Sequence, residues 1–214
     1  VVIGRSTEIA TTGSDTAYVL PMSVLVVDAN GSPVPGATVS LTNWPGRYAT
    51  GHRAQTGGAV TNGQAVNAGS ALVTDTFANE DIDRDLRLDS GEDFNGDGEL
   101  NPRTAVAGAL PATVTTNQSG LATFDLTYEK QYANWTKAWI RASTEVDSDH
   151  AQSETAFWLP RQDGDGANLP DSPYNSIACP FELSASTNSV ALSTDNDGDS
   201  LNDETVTLTL SKPD

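Results

Sequence analysis

Acidic side chains recur at alternate positions in one short segment of this sequence, and the pattern returns after twelve residues. Residues 80–89 read Glu-Asp-Ile-Asp-Arg-Asp-Leu-Arg-Leu-Asp, and residues 92–101 read Glu-Asp-Phe-Asn-Gly-Asp-Gly-Glu-Leu-Asn. An EF-hand calcium cage takes side-chain oxygens at loop positions 1, 3, 5 and 9, a main-chain carbonyl at position 7 and a bidentate glutamate at position 12. Both segments follow this spacing, so the sequence predicts two adjacent calcium loops.

The first predicted loop fills every position of that cage when Asp81 is counted as position 1. Its one departure is Leu86 at position 6, where glycine normally permits the sharp turn. The predicted ligands are Asp81, Asp83, Asp85, the main-chain carbonyl of Arg87, Asp89 and Glu92.

The second predicted loop starts at Asp93 and has Gly98 at position 6, but Thr104 stands at position 12. Without a bidentate carboxylate this loop is expected to bind more weakly, or to borrow an acid such as Glu80 or Asp89 from its neighbour. The alternative for both loops is a solvated acidic loop without a metal. The predicted ligands are Asp93, Asn95, Asp97, the main-chain carbonyl of Glu99, and Asn101.

A third segment near the end of the chain repeats the same spacing without an acid at position 12. Its predicted ligands are Asp195, Asp197, Asp199, the main-chain carbonyl of Leu201, and Asp203. Predicted strands flank all of these loops, so they resemble the calcium loops of thrombospondin type 3 repeats and dockerins rather than sensor EF-hands. We therefore expect one to three calcium ions in a structural role.

The charge distribution supports focused cation binding and argues against a nucleic-acid partner. The 214 residues carry 29 acidic and 11 basic side chains, and a phosphate backbone is recognised by lysine and arginine. Nine of the acids lie in residues 80–103 and five in residues 195–204, where they repel one another unless a cation is bound. No apolar run approaches the ~18–20 residues of a membrane span, and the single cysteine excludes an internal disulfide.

The elements that must position these loops are predicted to be strands. Alternating and β-branched segments separated by turns rich in glycine and asparagine dominate, which is typical of an all-β sandwich. Residues 46–70 and 161–176 interrupt the pattern as a polar surface excursion and as a linker or extended strap. Predicted strands cover residues 18–28, 37–42, 71–77, 112–116, 121–128, 136–146, 154–159, 181–192 and 205–211.

Three units follow from this pattern. Residues 1–160 are predicted to form the sandwich, with residues 79–104 inserted as the calcium-loop segment. Residues 161–180 form the linker or strap. Residues 181–214 form a C-terminal β-hairpin around the third acidic loop, which can be the start of a second repeat. A hairpin alone is not stable, so it must pack on the first domain or pair elsewhere.

Two segments resemble landmarks of bacterial immunoglobulin-like (Big) repeats of the invasin and intimin type. Residues 26–41 read Val-Val-Asp-Ala-Asn-Gly-Ser-Pro-Val-Pro-Gly-Ala-Thr-Val-Ser-Leu, and residues 116–124 read Thr-Asn-Gln-Ser-Gly-Leu-Ala-Thr-Phe, with Asn117 where the family usually has Asp. The acidic segment 79–102 resembles an insert of some surface and lipoprotein-type members. The resemblance implies a seven-stranded immunoglobulin-like sandwich in cell-surface or secreted proteins, often in tandem.

Together these features predict a non-enzymatic, calcium-stabilised bacterial surface module that acts as a stalk or adhesin. Such loops suit calcium concentrations outside the cytosol, so we expect an extracellular or cell-surface, outer-membrane-associated location rather than the periplasm. Expected partners are neighbouring repeats, a host or cell-surface receptor, or polysaccharide. No nucleophile elbow accompanies the two histidines, His52 and His150, which are expected at the surface.

The alternative function is a carbohydrate-binding accessory domain of a secreted enzyme. Trp135 and Trp139 are separated by an even number of residues in a predicted strand, so they are expected to face the same side, where they can stack on sugars. The competing interpretation is that these indoles are buried in the core of the sandwich.

Overall fold

The computed structural model describes residues 1–54, 59–61, 64–66, 70–146, 149–177, 182–185 and 208–211. In these residues the chain forms strands and three short 3-10 turns, at Thr104–Ala107, Lys130–Tyr132 and Asp165–Asn168, and no α-helix. The predicted all-β class is confirmed. In chain order the strands are β1 (Val2–Arg5), β2 (Ala10–Thr11), β3 (Ala17–Leu25), β4 (Thr38–Arg53), β5 (Ala59–Thr61), β6 (Gln64–Val66), β7 (Ala71–Ala78), β8 (Thr113–Thr115), β9 (Leu121–Glu129), β10 (Thr136–Val146), β11 (Asp149–Trp158), β12 (Glu182–Ala185) and β13 (Leu208–Ser211).

Two antiparallel sheets make up the sandwich. In the first sheet β3 is central, with β9 along one edge and both β1 and β2 along the other. In the second sheet the order is β11, β10, β4 and β7, and β8 pairs with the first part of β4 on the same edge that β7 occupies further along. The long strand β4 therefore holds β10 on one side and two successive partners on the other.

The main core forms where the inner faces of the two sheets meet. Strand β3 alternates between buried and more accessible residues, because successive side chains of a strand point to opposite faces. Tyr18, Leu20 and Val24 of β3 are fully buried, as are Val39 of β4 and Ile140 of β10. This interdigitated apolar layer between antiparallel sheets confirms the predicted sandwich architecture.

Strand β4 is much longer than the sequence pattern predicts. The prediction ended this strand at residue 42 and assigned residues 46–70 to a polar surface excursion, whereas the strand continues to Arg53 and pairs with β7. The second half forms a strand because Tyr48 and Ala49 are buried in a second apolar cluster. The predicted excursion was wrong for residues 46–53, which belong to β4 although Arg47 and His52 are exposed. Of the remainder the structure describes Ala54, the short antiparallel pair of β5 and β6, and Ser70.

A strap, defined here as residues 161–177, packs on this second cluster. The Ser172 hydroxyl donates to the carbonyl of Ala49 at 2.6 Å, and the Asn175 side chain both donates to and accepts from the main chain of Gly51 at 2.8 Å. The guanidinium of Arg53 donates to the carbonyl of Pro170 at 2.9 Å. These side-chain contacts attach the strap to β4.

Replacement of Tyr174 by phenylalanine is expected to lower the free energy of unfolding by about 1–2 kcal/mol, because the buried hydroxyl of Thr136 loses its partner. The hydroxyls of Tyr174 and Thr136 lie 2.5 Å apart in the second cluster. The measurement is urea unfolding followed by fluorescence. Tyr132→Phe is the matched control, since Tyr132 packs on Tyr174 but its hydroxyl makes no hydrogen bond in the described part of the chain. Equal losses in both variants would contradict the prediction.

At the C-terminal end, β12 and β13 pair antiparallel, as the predicted hairpin requires. Both histidines are exposed, as expected. Within the residues described, no helix has the length and apolar character needed to cross a membrane.

Candidate metal-binding loops

The acidic insert leaves the sandwich at the end of β7 and returns at the first 3-10 turn. Asn79 anchors its base on β4, because its side-chain amide donates to the carbonyl of Pro45 at 2.6 Å and its main-chain amide donates to the carbonyl of Gly46 at 3.1 Å. The main-chain amide of Glu80 donates to the carbonyl of Asn101 at 2.9 Å. The start and the end of the insert are therefore held together at the edge of the second sheet.

In the first loop, carboxylates bond to the loop's own main chain. The carboxylate of Asp81 accepts from the amides of Asp85 and Leu86, both at 3.1 Å, and Asp85 accepts from the amide of Arg87 at 2.8 Å. These bonds bend the chain around the acids. Carboxylate oxygens of Asp81, Asp83 and Asp85 consequently lie within 4.8 Å of one another, a group that can hold a metal ion.

The second loop repeats these bonds twelve residues later. The carboxylate of Asp93 accepts from the amides of Asp97 and Gly98 at 3.1 and 3.0 Å, and Asp97 accepts from the amide of Glu99 at 2.8 Å. The two loops therefore share one backbone design, which the sequence repeat predicts.

Backbone angles confirm that the loops have the same shape. Positions 4 and 6 are left-handed in both, with φ of 66° and 68° at Arg84 and Leu86 and of 74° and 78° at Gly96 and Gly98. The second loop uses glycine at these positions, where a left-handed conformation costs nothing sterically. The first loop adopts the same turn with side chains, at a cost of roughly 1–2 kcal/mol per residue. Leu86 at position 6 thus does not prevent the fold of the first loop.

Each loop is closed by a buried glutamate. Glu92 is position 12 of the first loop, and its carboxylate accepts from the amides of Ile82 at 2.8 Å and Asp89 at 3.1 Å, which are loop positions 2 and 9. Glu80 does the same for the second loop, with amides of Phe94 at 3.1 Å and Asn101 at 2.8 Å, again positions 2 and 9.

Glu80 therefore occupies in the second loop the place that Glu92 occupies in the first, although it precedes both loops in the chain. A carboxylate oxygen of Glu80 lies within 4.8 Å of oxygens of Asp93 and Asp97. Of the two acids that the sequence offered as borrowed ligands, the structure places Glu80 in this group. The signal in the sequence is the repeat itself, which aligns Glu80 with Glu92.

Without a bound cation, the electrostatic environment within the insert is unfavourable for ionised carboxylates. Burial raises the pKa of Glu80, which is 1% exposed, although three main-chain amides oppose that shift. The negative charge of Asp85 raises the pKa of Asp89. By contrast, main-chain amide donors lower the pKa of Glu92. A carboxyl group with a raised pKa stabilises the folded state while it is protonated, and this contribution is lost as the pH rises through the raised pKa. A bound cation would offset the loss at neutral pH.

Of the predicted ligands, the structure brings together the carboxylates of Asp81, Asp83 and Asp85 in the first loop, and those of Asp93 and Asp97 in the second. The side-chain amides of Asn95 and Asn101 both donate to Asp97, at 3.1 and 2.7 Å. The groups of three acids within 4.8 Å do not include Asp89 or Glu92. The main-chain amide of Asp89 donates to the Glu92 carboxylate at 3.1 Å, and the main-chain amide of Glu92 donates to the Asp89 carbonyl at 3.2 Å. The third predicted site, Asp195, Asp197, Asp199, Leu201 and Asp203, lies outside the described residues. Asp165, which lies outside the predicted loops, pairs with Lys130 at 2.6 Å.

The first loop also rests on the outer face of the second sheet. The guanidinium of Arg84 lies over the rings of Trp139 and Trp44, 5.0 and 5.9 Å from their centroids, and these two residues are cross-strand partners. Gly46 makes room for the Trp139 indole, since a side chain there would meet Trp139 Nε1 at 2.5 Å. Cation–π contacts of this kind stabilise by about 0.5–1 kcal/mol at accessible sites.

The expected pair of Trp135 and Trp139 on one face is wrong. Trp135 precedes β10 and is fully buried in the second cluster, with the Arg53 guanidinium 5.1 Å from its ring centroid. Trp139 is half-buried on the outer face, under Arg84. These two residues therefore do not form an open platform for sugars.

Together, the fold and the loops define an all-β sandwich that carries a paired acidic-loop insert. Comparisons with models of protein families, with curated proteins and with solved structures find no match to this chain.

Proposed function

We propose that residues 79–104 bind two calcium ions and that the protein is a calcium-stabilised module of a bacterial cell surface or secreted protein, acting as a stalk or adhesin. The observation that carries the proposal is the pair of three-acid groups, Asp81, Asp83 and Asp85 in one loop and Glu80, Asp93 and Asp97 in the other. Both are built by the same backbone hydrogen bonds.

The donor chemistry favours calcium. The side chains of both groups offer only oxygen, which hard cations prefer, and no histidine or cysteine belongs to either group. Calcium accepts six to eight oxygens in irregular geometry, whereas magnesium demands near-ideal octahedral sites. Asparagine oxygens, main-chain carbonyls and water would complete the shell.

A structural role suits the position of the insert better than a signalling role. The insert connects two strands of one sheet, and the described residues contain no helix pair whose opening would transmit a signal. The proposed role is therefore non-enzymatic bracing of an exported scaffold. Cytosolic free calcium would leave weak loops empty, so an extracellular or cell-surface location follows from the same proposal.

An adhesive role has support in the exposed apolar side chains of the first loop. Ile82, Leu86 and Leu88 are 65%, 62% and 40% exposed. Leu86 and Leu88, together with Leu100 and Pro102, line a shallow groove of about 480 Å³ between the loops. Exposed aliphatic groups beside a metal site supply contact surface for a receptor or a neighbouring repeat.

Calorimetric titration with calcium tests the binding proposal. We expect Asp83→Asn and Asp97→Asn each to lower the measured stoichiometry by one ion, because each removes a carboxylate from one group. Asp125→Asn is the control, since Asp125 is an exposed residue of β9 outside the insert. Heats that are the same in all three variants and in the native chain would overturn the assignment. Titration with magnesium measures selectivity.

A further inference from the structure

A depression outside the acidic insert combines one aromatic ring with several polar groups. Its volume of about 420 Å³ falls within the ~300–1,000 Å³ of small-molecule sites. Three separate segments form it: the start of β7, the turn before β10 and the residues at the end of β11. The lining residues are Ser70, Ala71, Val73, Asn134, Trp158 and Arg161.

Arg161 is a partly exposed cation of this depression, and its charge helps to lower the pKa of Asp165, whose carboxylate accepts from Lys130 and Tyr18. Arg161 makes no ion pair within 4 Å in the described residues, and its guanidinium donates one long bond of 3.3 Å to the neighbouring carbonyl of Gln162.

A second guanidinium, that of Arg53, lies near that of Arg161: burial and then the positive charge of Arg161 lower the pKa of Arg53. Asp171 opposes that shift, and its carboxylate accepts from the main-chain amide of Arg53 at 2.7 Å. The guanidinium of Arg161, which forms no ion pair in the described residues, is therefore the group that a ligand anion would meet.

Asn134 adds uncommitted donors to the same depression. Its main-chain amide donates to the carbonyl of Leu159 at 2.7 Å, and its side-chain oxygen accepts from Arg53 at 3.3 Å. These bonds hold the residue in a left-handed conformation with φ of 67°. The side-chain nitrogen makes no hydrogen bond in the described part of the chain, so both of its N–H groups are free for a ligand.

The apolar part of the wall is Trp158, whose indole is half-buried against the second cluster, and Val73, which is 48% exposed. An indole face beside a few directional polar groups suits a flat ligand that has one apolar face and hydroxyls at its edge. Arginine recognises a carboxylate through two parallel hydrogen bonds.

We infer that this depression is a binding site for an acidic sugar, a pyranose that carries a carboxylate. Its ring stacks on Trp158, its carboxylate pairs with Arg161 and its hydroxyls accept from the side-chain amide of Asn134. The site uses none of the acidic-loop residues and stands independently of the calcium proposal. It also differs from the Trp135 and Trp139 pair considered from the sequence.

The test is calorimetric titration with trigalacturonic acid, with galactotriose as the neutral reference, in calcium-containing buffer. We expect the acidic trisaccharide to bind at least tenfold more tightly than the neutral one, and Arg161→Gln to weaken it by about tenfold or more. Arg141→Gln is the matched control, since Arg141 lies on the same sheet and pairs with Glu154. In NMR spectra, comparison with Trp158→Phe identifies the indole N–H resonance of Trp158, and we expect that resonance to shift on binding.

Acidic saccharides also bind calcium ions, so Asp83→Asn is titrated in parallel. Unchanged affinity in that variant supports the depression as the site, and lost affinity assigns binding to the loops and overturns the inference. Equal binding of the neutral sugar, undiminished binding by Arg161→Gln, or no heat at about 10 mM ligand would each overturn it as well. Circular dichroism checks that every variant is folded.

Discussion

Removal of calcium is expected to lower the melting temperature by about 8–16 °C for each ~10 µM site that is emptied. A site with a Kd of ~10 µM in ~10 mM calcium stabilises the native state by about 4 kcal/mol, if the unfolded chain does not bind. For a domain of this size 1 kcal/mol corresponds to ~2–4 °C, so loss of one such site gives the stated shift. The reason lies in the insert, where a buried carboxylate and crowded aspartates repel one another without a cation.

Differential scanning calorimetry in EDTA, and again after excess calcium is restored, measures this effect. Restored calcium should return the original melting temperature, whereas magnesium at the same concentration should return only part of it. Asp83→Asn should reproduce much of the loss with calcium present. A melting curve that chelation leaves unchanged would remove calcium from any structural role in this protein.

Glu80→Gln is expected to cost about 2–3 kcal/mol even without calcium, and to abolish binding at the second loop. The carboxylate of Glu80 accepts from three main-chain amides, of Phe94, Asn95 and Asn101. Glutamine keeps one acceptor and turns an amide nitrogen toward an N–H donor, which leaves buried donors unsatisfied. Urea unfolding in EDTA measures the first effect, and the increase in stability on adding calcium measures the second.

Glu99→Gln is the matched control in the same loop. Among the described residues, the exposed side chain of Glu99 pairs only with Arg103, while its main-chain carbonyl is the predicted ligand. Exposed ion pairs contribute little, so a change within about 0.5 kcal/mol and normal calcium binding are expected. If both glutamine variants behave alike, then Glu80 is not the closing residue of the second loop.

The sequence predicts the all-β class and the two loops well because both depend on local periodicity. Alternation along β3 identifies the face that is buried, and the twelve-residue repeat gives the same hydrogen bonds in both loops. These signals need only neighbours in the chain. The immunoglobulin-like connectivity implied by the resemblance stays a prediction.

What the sequence does not reveal depends on contacts between distant segments. Residues 46–53 look polar and glycine-rich, yet they form the second half of β4 because β7 and the strap cover them. Trp135 falls just outside β10 and turns into the second cluster, so alternation counted through it fails. Placement of Glu80 against the second loop likewise requires the insert to fold back on itself.

Each loop is closed by the glutamate that directly precedes the other loop, and this arrangement has a thermodynamic consequence. Glu92 separates the two loops, and Glu80 reaches across the first loop to close the second. Once an ion has ordered the first loop, part of the conformational entropy needed to bring Glu80 to Asn101 has already been lost. Ion uptake should therefore be positively cooperative, with a Hill coefficient above one, and singly loaded molecules should be scarce. The insert would then order and melt as one unit over a narrow range of calcium concentration.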